Sequence, residues 1–124
     1  MCLLLGEAVL AGQNHGMRQP LVEILYFDGC PHYQGARTLV ERVSRELDIE
    51  PELRLIDVTS DETAQRLRFV GSPTIRVDGD DVDPHIGERH EFARSCRVYR
   101  TESGFAGQPD ERWVRDALER AISV

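Results

Sequence analysis

The sequence predicts one α/β domain with a mixed four-stranded sheet and helices on both of its faces, in the order β-α-β-α-β-β-α. Strand-like apolar runs alternate with segments in which apolar residues recur every three or four positions. A helix between the first two strands implies parallel pairing, whereas a later Asp78-Gly79 turn implies an antiparallel hairpin. The predicted domain covers residues 19–124, and residues 1–18 are predicted to be a disordered or loosely attached tail.

The first half of the chain has the pattern of a β-α-β unit. Residues 21–27 form a nearly continuous apolar run, as expected for a buried parallel strand. Helical spacing follows from Pro31, which suits a first helical turn because its missing N–H is not needed there. Residues 52–58 predict the second strand. The apolar stripe of the intervening helix comprises Ala36, Leu39, Val40, Val43 and Leu47.

The second half predicts another helix and two more strands. Thr59 and Glu62 match a capping box, and the short helix that they begin is predicted to end at Gly71. Its inner edge would comprise Ala64, Leu67 and Val70. The third and fourth strands are predicted at residues 72–77 and 96–100, with an irregular inserted loop at residues 83–95.

The last helix is predicted to begin near Pro109, after a loop that contains Gly104 and Gly107. Asp110 and Glu111 fall in its first turn, where negative charge suits the helix dipole. Its apolar stripe comprises Trp113, Val114, Ala117, Leu118, Ala121 and Ile122.

Charge and cysteine content narrow the possible functions. The net charge of −7 argues against a nucleic-acid partner and against an anionic membrane surface. All 15 basic residues are arginine, so lysine-based chemistry is excluded. Three cysteines are too few for a secreted disulfide scaffold, and no run reaches the roughly 20 apolar residues of a membrane span, so we expect a cytoplasmic protein.

The stretch Y-F-D-G-C-P-H-Y, residues 26–33, carries the clearest chemical signal. Cys30 lies between the first strand and the first helix, where helix N–H groups and the positive end of the dipole favour a thiolate. His32, when protonated, adds a cation near the sulfur. A thiolate acts as both nucleophile and leaving group in disulfide exchange, so Cys30 and His32 are candidate catalytic residues.

The G-C-P-H motif, an S-P-T motif at residues 72–74 and the order of elements together resemble the thioredoxin-like superfamily over roughly residues 20–124. The resemblance implies that Pro73 is a third catalytic residue, which has a cis peptide bond and faces Cys30. Its neighbouring backbone groups would pair with an extended substrate. The resemblance also implies that the substrate site is lined by Pro31, Tyr33, Ser72 and Thr74. The Cys-Pro-His order is similar to that of disulfide oxidases of the thioredoxin class.

Further motifs are similar to small bacterial thioredoxin-like proteins, some of them linked to alkylmercury lyases. These motifs are Asp-Pro in the loop, S-C-R-V-Y at residues 95–99 and G-F-A-G-Q-P at residues 104–109.

Tyr33 departs from the dithiol pattern, because it stands where a second cysteine would resolve a mixed disulfide. By resemblance to monothiol glutaredoxin-like proteins, glutathione or another low-molecular-weight thiol would serve as co-substrate, and no bound cofactor is expected. Cys96 is the alternative resolving cysteine, although we expect it to be mostly buried and at the far end of the sheet. Cys30, in contrast, is expected to be at least partly exposed.

No metal site is predicted from the acidic and histidine clusters. One cluster, Asp78, Asp80, Asp81 and Asp83, fails the EF-hand spacing and is interpreted as a polar hairpin. The other cluster falls in the irregular loop without regular geometry and comprises His85, Glu88, His90 and Glu91.

Three functions compete. The leading hypothesis is a monothiol thioredoxin-like protein that exchanges disulfides with a small thiol or a partner protein. The second is a protein that binds soft metals or organomercurials through its thiol. The third is a non-catalytic module whose S-P-T edge pairs with an extended peptide. The sequence specifies neither an oligomeric state nor a particular partner.

Overall fold

The computed structural model describes residues 19–87 and 91–123, and the predicted tail at residues 1–18 lies outside the described residues. The central element is a four-stranded mixed sheet with strand order β2-β1-β3-β4. The β1 and β2 strands pair in parallel, and the other neighbours are antiparallel. The strands are β1 (Leu21–Tyr26), β2 (Glu52–Asp57), β3 (Thr74–Val77) and β4 (Asp80–Asp81).

Within the part of the chain that the structure describes, three helices cover the two faces of this sheet, so the predicted α/β class and its mixed four-stranded sheet are confirmed. They are α1 (Tyr33–Glu46), α2 (Asp61–Leu67) and α3 (Glu111–Ile122). Successive side chains of β1 point to opposite faces of the sheet, so Val22 and Ile24 join one hydrophobic core cluster and Leu25 joins another. The larger cluster contains the predicted apolar stripes of α1 and α3, and the smaller contains Ala64 of α2 and Phe69.

The position of the fourth strand was predicted wrongly. The Asp78-Gly79 turn does form a hairpin, with φ of 51° and 92° at its two residues. Residues directly after this turn therefore reach the free edge of β3 first and form β4. Residues 96–100 do not join the central sheet as a strand; β5 (Tyr99–Thr101) instead pairs with β6 (Gly104–Ala106) in a separate hairpin. The predicted loop at Gly104 is consequently a strand.

The starts of α1 and α2 differ slightly from the prediction. His32 is the N-cap of α1, so Pro31 precedes the helix. The side chain of Ser60, rather than that of Thr59, caps α2 by accepting a hydrogen bond from the N–H of Thr63 at 3.0 Å.

The helix α2 also ends earlier than predicted. Arg68 adopts a left-handed conformation with φ of 56°, which ends the helix three residues before Gly71. Phe69, beyond the helix, is fully buried, whereas Val70 is partly buried. The helix α3 starts close to the predicted position, but Asp110 is its N-cap rather than a first-turn residue, and it accepts a hydrogen bond from the N–H of Arg112 at 2.9 Å.

Over residues 19–87 and 91–123, no helix combines the length and the apolar character that crossing a membrane requires.

Candidate functional site

Cys30 lies in a tight turn at the carboxyl end of β1. Its N–H donates a hydrogen bond to the carbonyl of Phe27 at 3.1 Å. Gly29, inside this turn, has φ of 98°, a conformation that strongly favours glycine. The turn folds Cys30 back against the protein, and the residue is only 5% exposed. The expectation that Cys30 is at least partly exposed is therefore wrong.

Two glycines allow the loop before α3 to pack closely against the start of α1. A Cβ atom on Gly107 would lie 2.5 Å from Cδ2 of His32, so the His32 ring lies against that glycine. A Cβ on Gly35 would lie 2.0 Å from Nε2 of Gln108. His32 is exposed but is held at the beginning of α1, two residues from Cys30. The contact of Gln108 with the start of α1 was not predicted, although a glycine, Gly35, inside a predicted helix is a signal for such a close approach.

Tyr33 does not project freely into solvent. Its ring stacks on that of Tyr26, with centroids 4.2 Å apart and planes inclined by 13°. Its hydroxyl accepts a hydrogen bond from Nε2 of Gln34 at 3.4 Å. Desolvation raises the pKa of Tyr26, and Asp57, Tyr33 and Asp28 raise it further by electrostatic interaction. Tyr33 thus fixes the start of α1 to the end of β1.

The S-P-T motif lies at the same edge of the sheet as Cys30. Thr74 pairs with Leu25, so the beginning of β3 lies beside the carboxyl end of β1. The Ser72–Pro73 peptide bond is cis, as predicted. Thr74 is fully buried, and its hydroxyl donates to the carbonyl of Gly71 at 2.5 Å. The Tyr99 hydroxyl donates a hydrogen bond to the carbonyl of Pro73.

A short segment, residues 94–97, crosses this edge of the sheet; we name it the strap. At its beginning, Nε of Arg94 donates to the carbonyl of Val58 at 3.0 Å, just beyond β2. The Arg94 guanidinium also lies 5.6 Å from the centroid of the Phe27 ring, just beyond β1. The strap therefore begins over the carboxyl ends of the two parallel strands.

The strap then pairs with Ser72. The N–H of Ser72 donates to the carbonyl of Ser95 at 2.7 Å, and the N–H of Arg97 donates to the carbonyl of Ser72 at 2.9 Å. These bonds form a parallel bridge between Ser72 and Cys96. Both backbone groups of Ser72 that were expected to pair with an extended substrate are thus bonded within the chain.

The two expectations about Cys96 are wrong. The residue is exposed rather than buried, and it lies beside Ser72 rather than at the far end of the sheet. The reason is the misplaced fourth strand: residues 96–98 do not run along β3 but cross its beginning. Cys30 and Cys96 are both free thiols in the structure.

Arg97 anchors the strap in the interior. Its side chain is 2% exposed and bonds both carboxylate oxygens of Asp81, at 2.7 and 3.2 Å, and Asp83 at 3.3 Å. It also donates to the Thr74 hydroxyl at 3.3 Å and lies 4.2 Å from the centroid of the Tyr99 ring. Desolvation lowers the pKa of Arg97, but Tyr99 and the two carboxylates outweigh it, so the guanidinium stays charged.

This ion-pair cluster gives a role to two of the four acidic residues that were predicted to form a polar hairpin. Asp81 and Asp83 neutralise Arg97, which was not predicted to be buried or paired. The Asp78 carboxylate accepts a hydrogen bond from the N–H of Leu21 at 2.9 Å. Within the described residues no group of three or more potential metal ligands is found, and Glu88 and His90 of the second cluster lie outside them.

The structure therefore defines an α/β domain that gathers two cysteines, a cis-proline segment and a helix N-terminus at one edge of a mixed sheet. In comparisons with known proteins, the chain matches no protein-family model and no curated sequence.

Proposed function

We propose that this protein is a thioredoxin-like thiol protein that exchanges disulfides through Cys30. The observation that carries the proposal is the position of Cys30, at the carboxyl end of β1, directly before α1 and at the same sheet edge as Ser72 and Pro73. The mixed four-stranded sheet with helices on both faces is compatible with the fold class predicted from the sequence. Pro31 and Tyr33 remain the proposed surroundings of the substrate, whereas Ser72 and Thr74 are buried and would support this site from the interior.

The electrostatic setting supports this chemistry. The first N–H groups of a helix have no partners within the helix, and they point toward the end at which Cys30 lies. The helix dipole and the His32 ring, when protonated, place positive charge at the same end. The attacking form of a cysteine is the thiolate, which is stabilised by positive charge nearby.

The proposed reaction has two exchange steps. The Cys30 thiolate attacks one sulfur of a disulfide, forms a mixed disulfide and releases the other half as a thiolate, which takes up a proton from water. A second thiol, in its thiolate form, then attacks the mixed disulfide and restores the Cys30 thiolate. Tyr33 has no thiol with which to perform this step, so a low-molecular-weight thiol such as glutathione is the proposed co-substrate.

The proposal is tested by turnover of a glutathionylated peptide in the presence of glutathione. We expect the wild-type protein to release the peptide thiol catalytically and Cys30→Ser to lose that activity. Cys2→Ser is the matched control, since Cys2 lies in the predicted tail, and it should leave the rate unchanged. Undiminished turnover by a folded Cys30→Ser variant would refute the assignment of Cys30.

A second candidate, soft-metal binding through thiolates, is favoured by one observation: Cys30 and Cys96 lie at the same edge. Thiolate is a ligand that soft metals prefer. A mercury titration that shows tight binding by wild type and its loss in Cys30→Ser, without any peptide turnover, would favour this function. The peptide-binding module gains less support, because the backbone groups of Ser72 are already paired with the strap.

A further inference from the structure

We infer that Cys96 is the resolving thiol of Cys30, so that the protein completes a dithiol pair from the strap instead of from helix α1. The inference rests on the proposed function of Cys30 and adds the identity of its internal partner. It predicts an oxidised form of the protein with a Cys30–Cys96 disulfide.

The strap contacts both structural elements that surround Cys30. Arg94 lies over the ring of Phe27, whose carbonyl accepts the hydrogen bond from the N–H of Cys30. Two residues later, Cys96 forms its bridge with Ser72. The chain therefore passes from the Cys30 turn to the cis-proline segment, and Cys96 lies on that path.

The register of the sheet supports the same placement. Leu25 pairs with Thr74 at the last position of the antiparallel ladder, so Phe27 and Ser72 each lie two residues beyond the same end of this pairing. Bridged backbones lie about 5 Å apart, and a disulfide needs a Cα separation of about 4.4–6.8 Å. Cys30, Ser72 and Cys96 thus belong to neighbouring chain segments at one edge of the sheet, and the inferred disulfide requires the exposed Cys96 to approach Cys30 to within that separation.

The two cysteines differ in exposure. Cys96 is exposed, so its thiol is accessible, whereas Cys30 is 5% exposed and is held in the turn. The Ser72 hydroxyl, in the residue that bridges Cys96, is buried and lacks a hydrogen-bond partner; among the described residues, the same holds for Ser44. A buried unpaired hydroxyl is costly, so an acceptor that reached the Ser72 hydroxyl would be stabilised there.

The step balances without any further reagent. Glutathione disulfide first reacts with Cys30. One half stays bound to Cys30 as a mixed disulfide, and the other half leaves as glutathione. The Cys96 thiolate then attacks the Cys30 sulfur; the Cys30–Cys96 bond forms, the bond to glutathione breaks, and glutathione leaves as a thiolate that is protonated by water. Two protein thiols are oxidised, and one glutathione disulfide is reduced to two glutathione molecules.

The test treats the folded Cys2→Ser protein with glutathione disulfide and maps disulfides by mass spectrometry of a non-reduced digest. We expect both protein thiols to be lost together and a Cys30–Cys96 linked peptide to appear, with no lasting glutathione adduct. A stable adduct on Cys30 beside a free Cys96 would overturn the inference while leaving the proposed function intact.

A relocated cysteine provides the matched control. The double variant Cys96→Ser with Ser103→Cys keeps the number of thiols but moves one to an exposed position in the β5–β6 hairpin. This variant should accumulate the glutathione adduct on Cys30 without an internal link. An equal yield of internal disulfide from the relocated cysteine would mean that pairing is non-specific, which contradicts the inference. No adduct on Cys30 in this variant would refute the proposed function as well.

Discussion

At the scale of single residues, the strap depends on a glycine and an arginine. A Cβ on Gly71 would lie 2.8 Å from Cβ and 3.0 Å from Cα of Arg97, and the φ of Gly71 is 131°. Only glycine combines this conformation with so close an approach. Arg97 then fixes the strap, because its guanidinium neutralises Asp81 and Asp83 in the interior.

Removing the Arg97 charge should therefore be strongly destabilising. In Arg97→Met the Asp81 and Asp83 carboxylates lose their buried cation, and breaking a buried pair from one side costs about 3–5 kcal/mol. Urea denaturation measures the change in the free energy of unfolding. The matched control is Arg112→Met, which removes an exposed ion pair with Glu102, 63% and 69% exposed, and should cost less than about 1 kcal/mol. Equal effects of the two variants would show that the Arg97 cluster does not hold the strap.

At the scale of elements, α1 and α3 are joined by an ion-pair network at their exposed edges. Glu111 of α3 contacts Arg42 of α1 at 2.9 Å and Arg115 at 2.8 Å. Arg115 in turn bonds Glu46 at 2.5 Å. Hydrogen bonds from Arg42 and Arg115 lower the pKa of Glu111 from 4.5 to about 2.

This shift predicts how stability depends on pH. Because the folded-state pKa of Glu111 is depressed, its stabilising contribution is present above about pH 4.5 and is lost as the pH falls toward about 2. The free energies of unfolding of wild type and Glu111→Gln should differ above about pH 4.5 and become equal below about pH 2. The difference should shrink in high salt, since the network is exposed. Glu119→Gln, an exposed change on the same helix, is the control. If the difference between wild type and Glu111→Gln does not disappear at low pH, or if Glu119→Gln behaves in the same way, the assignment of this pH dependence to Glu111 is contradicted.

The same elements show which parts of the fold are determined by the local sequence. The stripes of α1 and α3 and the Asp78-Gly79 hairpin were predicted correctly, because helical periodicity and turn conformation depend on neighbouring residues. The fourth strand was not predicted correctly. Residues 80–81 and residues 96–100 compete for the free edge of β3, and the outcome depends on which segment lies nearer in three dimensions. Residues 80–81 have little strand character, yet they follow the turn directly and occupy the edge.

The error in the fourth strand also explains what was missed at the candidate site. A strand at residues 96–100 would carry Cys96 away from Cys30 and bury it. The strap is instead held by Arg97, and no local pattern in the sequence marks an arginine whose carboxylate partners lie 14 and 16 residues away. The burial of Cys30 has a similar origin, since it results from the fold of the turn at residues 27–30 rather than from hydrophobic spacing.

At the scale of the whole molecule, the topology brings three distant segments to one edge of the sheet. The turn at residues 27–30 follows a central strand, the segment at residues 72–74 begins its antiparallel neighbour, and the strap crosses both. Carboxyl ends of parallel strands meet at one edge, and the N-terminus of the next helix begins there too. The thiol chemistry is therefore proposed at the place where the fold concentrates polar backbone groups.

The most direct test of this account is whether folded Cys30 forms a reversible mixed disulfide. The Cys2→Ser, Cys96→Ser variant leaves Cys30 as the single cysteine, and mass spectrometry follows it during exposure to glutathione disulfide and then to excess glutathione. The account predicts that one glutathione adds to Cys30 under native conditions and that reduced glutathione removes it again. A Cys30 that stays a free thiol in the folded protein, and accepts glutathione only after urea has unfolded the chain, would contradict the account.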